Sequence, residues 1–106
     1  MDKRTLVIND LKSHLKANYF GEIKDVILFG SQVQDKNHPY SDYDFLVVLK
    51  HDYSIRDENE LLDLVFDINI KHDVIIDLHL ISEKEIHSLK GRQPVYANAL
   101  KKGVYA

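Results

Sequence analysis

Leu28-Phe29-Gly30-Ser31-Gln32-Val33-Gln34-Asp35-Lys36-Asn37-His38-Pro39-Tyr40-Ser41-Asp42-Tyr43-Asp44-Phe45-Leu46-Val47-Val48 is the most informative stretch of this chain. It opens on the end of a continuous apolar run, Val26-Ile27-Leu28-Phe29, the pattern of a short buried strand. Gly30-Ser31 ends that strand and opens a short helical turn. A glycine there lets the backbone come close to a ligand. The free N–H groups at the start of the turn, with the Ser31 hydroxyl, make an anion site suited to phosphate. Residues 35–41 are polar and turn-forming. Asp42 to Leu49 reads as a second buried strand, headed by carboxylates.

Asp42 and Asp44 are one residue apart on that strand. The period of two puts both carboxylates on one face, with Cα atoms roughly 6.5–7 Å apart. Two like charges so placed repel unless a cation sits between them. Carboxylate oxygens suit Mg2+, which keeps several waters and shares its shell with substrate phosphates. A third acid, Asp77, lies in Asp73-Val74-Ile75-Ile76-Asp77-Leu78-His79-Leu80. An acid in an apolar strand is costly unless compensated, and a metal or an acceptor proton beside it would compensate it. His79 shares the face of Asp77, where a structural histidine is the ordinary reading. Tyr43 points to the opposite face from the two acids and is expected in the core.

The flanking sequence predicts a chain in which helices and strands alternate. Residues 3–18 form a helix with the apolar stripe Ile8, Leu11, Leu15 and Tyr19. Residues 57–71 form a long amphipathic helix, with Asp57 and Glu60 as a capping pair and Leu61, Leu64, Val65 and Ile68 as its stripe. Leu62, Phe66 and Ile70 lie beside that stripe and leave some surface for a partner. Val74 to Ile81 is a third strand. Ser82 and Glu85 match a capping box for a short helix ending near Gly91. Pro94 and Gly103 bracket a last helix that ends on Lys101-Lys102. The order is α-β-α-β-α-β-α-α, with the second helix short.

The 106 residues are expected to form one domain, 1–106. Hydrophobic residues make up 44% and charged residues 29%, an ordinary globular composition. Fourteen Lys and Arg against 17 Asp and Glu give a net charge of −3, which excludes strong nucleic-acid binding through a basic field. There is no cysteine, hence no disulfide, thiol nucleophile or Cys-based zinc site. No apolar run approaches the ~20 residues of a membrane span, and no signal peptide is legible, so a cytoplasmic location is expected.

Gly30-Ser31, ten residues, then Asp42-Tyr43-Asp44 resembles the GS-x10-D-x-D signature of the DNA polymerase β-like nucleotidyltransferase superfamily. The short chain resembles its minimal nucleotidyltransferase (MNT) group, whose genes often sit beside one for a HEPN-domain protein. The resemblance implies an α/β fold, a small mixed sheet with helices packed mainly on one face. It implies that Gly30, Ser31 and Ser41 hold the nucleotide and its phosphates. Asp42, Asp44 and Asp77 would be the catalytic and metal-binding carboxylates, with Asp77 serving the acceptor hydroxyl. Mg2+, or Mn2+ in its place, would be the cofactor and ATP the substrate. The reaction implied is transfer of AMP to a hydroxyl, with a HEPN toxin as the partner and this chain as its antitoxin; a homo-oligomer is compatible. Many minimal members read Gly-Ser-x-Ala-Arg-Gly, whereas here Gln34 stands in place of the Arg and Asp35 in place of the Gly. That exchange favours an alternative, an antitoxin that neutralises its partner by contact alone. A small-molecule transferase is a third reading, although such relatives normally carry extra helices.

Overall fold

Five helices and four strands occupy the described residues of the computed structural model, 2–30 and 42–106, in the order α1 (Lys3–Asn18), β1 (Ile23–Phe29), β2 (Tyr43–Leu49), α2 (Ile55–His72), β3 (Ile76–Ser82), α3 (Glu83–Ile86), α4 (Leu89–Arg92), α5 (Pro94–Lys102) and β4 (Val104–Tyr105). The short helix expected after Gly30 lies outside the described residues. The sheet order is β3-β2-β1-β4. β1 runs antiparallel to β2 and β4, and β2 runs parallel to β3, so the sheet is mixed as expected.

Alternation along the strands builds two faces. One carries Val26, Leu28, Tyr43, Phe45, Val47, Leu49, Ile76 and Leu80, and both long helices cover it. α1 contributes Val7, Ile8, Leu11, Leu15 and Tyr19, so the expected stripe is buried; α2 contributes Leu61, Val65 and Ile68. The rings of Tyr43 and Phe45 stack with centroids 6.5 Å apart, which confirms Tyr43 as a core residue. The opposite face carries a smaller cluster, Ile27, Leu46, Val48 and Ile81, closed by Ala99 of α5. The two long helices thus lie together on one face, and only short elements reach the other.

Local chemistry moves several boundaries. α2 starts earlier than expected because Ser54 is its cap. The Ser54 hydroxyl accepts from the Asp57 N–H, and the Asp57 carboxylate accepts from the Ser54 N–H at 2.9 Å. Asp57 therefore completes a box with Ser54 rather than opening one with Glu60. α2 ends on Asp73 in the left-handed region, φ 53°. The N–H groups of Val74 and Ile76 then donate to the Asn69 carbonyl and side chain, and this closure delays β3 to Ile76. The predicted Ser82–Glu85 box is present and caps α3. Ser88 then caps a separate turn, α4, where one helix was expected. β4 was not foreseen; it is two residues long and pairs with Ile27 and Leu28.

Candidate active site

The three acids of the sequence reading meet at one end of the less covered face. In the parallel pairing of β2 with β3, Asp44 is the register partner of Asp77. Asp42 precedes β2, and its carboxyl lies near enough to that of Asp77 for the two charges to act on each other. Asp77 is exposed and Asp44 half-buried. The expectation of a buried acid at position 77 is thus corrected: β3 starts only one residue earlier, and this end of the strand is open to solvent.

β1 brings Gly30 to the same place. Phe29 is the register partner of Asp44, and Gly30 follows with φ 80°. A Cβ added at Gly30 would overlap the Asp44 carboxylate. Glycine is therefore required twice, by its backbone conformation and by the close approach of an acid. The sequence assigned Gly30 to a ligand; the structure shows that it also makes room for Asp44.

His79 joins the group from β3. Its Nε2 lies 3.9 Å from Asp44 Oδ1, and its ring centroid lies 5.4 Å from that of Phe29. Parity along β3 placed His79 on this face, but nothing in the sequence signalled Phe29, which reads as the end of an apolar run.

Electrostatics record the crowding of negative charge. Loss of hydration raises the Asp42 carboxyl above its ordinary value, and the neighbouring Asp77 carboxyl raises it further. Asp44 is raised by burial and then by Asp77 and Asp42, with His79 acting in the opposite direction. Each additional negative charge disfavours ionisation of its neighbours, and a cation among them would reverse that. Among the described residues, no three His, Cys, Asp or Glu side chains stand as a ready-made metal cage. Mg2+ requires less, because one or two carboxylates with waters and substrate phosphates complete its shell. As a donor set, the exposed carboxylates of Asp42 and Asp77 and the half-buried one of Asp44 fit such an ion.

Ser31 and Ser41, the other nucleotide-binding residues expected, lie outside the described residues, as do Gln34, Asp35 and Tyr40. No helix among the described residues is long and apolar enough to cross a membrane.

Comparison with known proteins bears on the family and the fold. A Methanocaldococcus jannaschii protein, provisionally named protein adenylyltransferase MJ0604, is 29% identical over 96 residues, covering 91% of this chain and 90% of that protein. Among solved structures, a chain of a toxin-antitoxin crystallised with AMP-PNP matches with TM-score 0.55 and 24% identity, over 68% of this chain and 55% of that one. A chain of the toxin-antitoxin MntA-HpeT, in a mutant form, matches with TM-score 0.61 and 16% identity, over 99% of this chain and 71% of that one. Both likenesses are of fold. A spectinomycin adenyltransferase of Enterococcus faecialis, solved with ATP and spectinomycin, matches with TM-score 0.55 and 27% identity, over 81% of this chain. The chain spans only about half the length of the first of these solved chains and 35% of the spectinomycin enzyme. The family model described as a nucleotidyltransferase domain matches residues 7–106, and the chain belongs to that family.

Proposed function

We propose that this protein transfers AMP from ATP, in a Mg2+-dependent reaction, to a hydroxyl of a partner protein, a HEPN-domain toxin that it thereby neutralises as antitoxin. The observation that carries the reading is the placement of Asp42, Asp44 and Asp77 together on an open strand end beside Gly30. The name of the archaeal relative supports a protein as acceptor, and the toxin-antitoxin neighbours support a partner chain.

Asp42 and Asp44 would hold the cation that accompanies the triphosphate, and Asp77 would serve a second cation and the acceptor. When bound, Mg2+ supplies positive charge against the phosphates and lowers the pKa of the attacking hydroxyl. Asp77, exposed to solvent and to an incoming acceptor, takes the hydroxyl proton. The hydroxyl oxygen bonds to the α-phosphorus and pyrophosphate leaves. Gly30, with no side chain, lets the nucleotide's phosphates near the backbone, where Ser31 adds a donor and Ser41 flanks the first acid. The test is incubation with α-labelled ATP and Mg2+ in the presence of the partner toxin. Label is expected on the partner and absent with Asp44→Asn.

Gln34 and Asp35 favour a second reading, neutralisation by contact alone. Under it, Asp44→Asn would still silence the partner, whereas under the transfer reading it fails to.

A further inference from the structure

The strand registers set two rows across the less covered face of the sheet. In the first, Phe29 of β1 pairs with Asp44 of β2, and Asp44 with Asp77 of β3. In the second, Ile27 pairs with Leu46, and Leu46 with His79. Ile27 and Leu46 are fully buried, and Ile81, the next residue of β3 on this face, is buried with them. His79 is thus a polar residue closing an apolar row, beside the row that carries two acids. Packing alone would accept an aliphatic side chain there. Phe29, which the His79 ring meets at 5.4 Å and 57°, already packs against the apolar cluster.

The two oxygens of Asp44 have different neighbours. Oδ2 is the atom that a Cβ at Gly30 would strike. Oδ1 lies 3.9 Å from His79 Nε2, the separation of a charge contact rather than of a direct hydrogen bond. The carboxylate therefore sits between Gly30 on one side and the imidazole on the other. Both side chains stay in contact with solvent, 31% exposed for His79 and 28% for Asp44, so the arrangement is open to an incoming ligand.

We propose that His79 is a positioning residue of the transfer site: its Nε2–H holds the Asp44 carboxylate in this orientation, ready for a divalent cation. The inference rests on the metal-dependent reading above and deepens it. An unrestrained Asp44 side chain would turn away from Asp77, its register partner, because like charges repel. A donor on the same strand as Asp77, two residues further on, offsets that repulsion and keeps the carboxylate in place. Nε2 carries a hydrogen in the imidazolium and in one neutral tautomer, so the role requires no change of protonation. Carboxylates that ligate metals are themselves held by hydrogen bonds, and loss of such a partner costs about 10–100-fold in metal affinity.

The test uses the full chain and Mn2+ as the probe, alone and with ATP, its uptake followed by water-proton relaxation. His79→Leu keeps an apolar contact for Phe29 but has no donor. His79→Gln carries an amide N–H near the place of Nε2. His79→Leu is expected to weaken Mn2+ binding about tenfold, and His79→Gln to recover most of that loss. The urea midpoint of His79→Leu is expected at or above the parent's, because leucine continues the apolar row. In the metal-free chain, the 15N signals of the His79 imidazole are expected to move in Asp44→Asn. Parent-like Mn2+ affinity in His79→Leu, an equal loss in His79→Gln, or imidazole signals indifferent to Asp44→Asn would overturn the proposal. So would a loss of Mn2+ binding matched by a fall in the urea midpoint, which would make His79 a packing residue. A parent that takes up no Mn2+, with or without ATP, would sink the metal reading and this inference together. A parent that takes it up no more tightly than His79→Leu would sink the inference alone.

Discussion

Asp44 and Asp77 face each other as register partners on parallel strands, which sets their backbones about 4.8 Å apart. The sheet ladder, not the side chains, holds the two carboxylates together. Their repulsion is thus built into the fold and is relieved only by a proton or a cation.

A pH dependence of stability follows. In the folded chain Asp44 retains its proton to higher pH than in the unfolded chain. The native state then binds more protons just above the ordinary carboxylate range, and stability falls as pH rises through that window. Above it the penalty is complete. At neutral pH, Asp44→Asn should therefore raise the melting temperature of the metal-free protein, and this gain should vanish below the unfolded carboxylate pKa. Thermal melts across that range check the sign; a lower melting temperature for Asp44→Asn at neutral pH would contradict it.

Metal should act on the parent in the same direction. A ligand that binds only the native state stabilises it by about 2.7 kcal/mol at a hundredfold excess over its Kd. Millimolar Mg2+ or Mn2+ should raise the parent's melting temperature, more so with ATP, and Asp44→Asn should blunt the response. Melts unchanged by either ion would count heavily against a metal site.

Gly30→Ala should lose stability and function together. Holding a residue with a Cβ in the left-handed region costs about 1–2 kcal/mol. The added methyl also displaces the Asp44 carboxylate. Urea unfolding should show the loss of stability, and ATP affinity in the presence of Mg2+ should fall. Parent-like values for both would show that Gly30 has no such constraint.

Phe45 tests how the core aims the site. Tyr43 and Phe45 are locked into the core on one face of β2, so Asp44 between them faces the other way. Phe45→Ala should cost about 3–5 kcal/mol, a large part of the stability of a small domain. Phe45→Leu should fold and retain ATP binding. Denaturant midpoints for the two variants, read beside their ATP affinity, check the ordering.

Much of this arrangement is legible in the sequence because it rests on local periodicity. The α1 stripe, the alternation that buries Tyr43 and turns its acidic neighbours to the other face, and the Ser82–Glu85 box are all short-range signals. The Asp57–Glu60 pair misled because Ser54, three residues before Asp57, is the better cap for the same helix. Ser54→Ala should accordingly cost about 1 kcal/mol, read from urea unfolding, whereas Glu60→Ala should cost little. β4 could not be read because two exposed residues have no period; its pairing with Ile27 and Leu28 is long-range. The exposure of Asp77 was missed for a similar reason. A run of isoleucines looks the same whether or not both faces of its strand are covered, and only the tertiary arrangement leaves this end of β3 open.

The most direct measurement is the effect of Asp77→Asn on AMP transfer and on ATP affinity, made side by side. Asp42 and Asp44 should suffice to hold the cation that arrives with the triphosphate, while Asp77 serves the acceptor's proton. Asn has the same shape but cannot take that proton and is a weaker ligand for a hard cation. Labelled AMP should therefore no longer reach the partner, with ATP affinity unchanged, placing the loss in the chemical step. Transfer by Asp77→Asn at the parent's rate would contradict the three-carboxylate account.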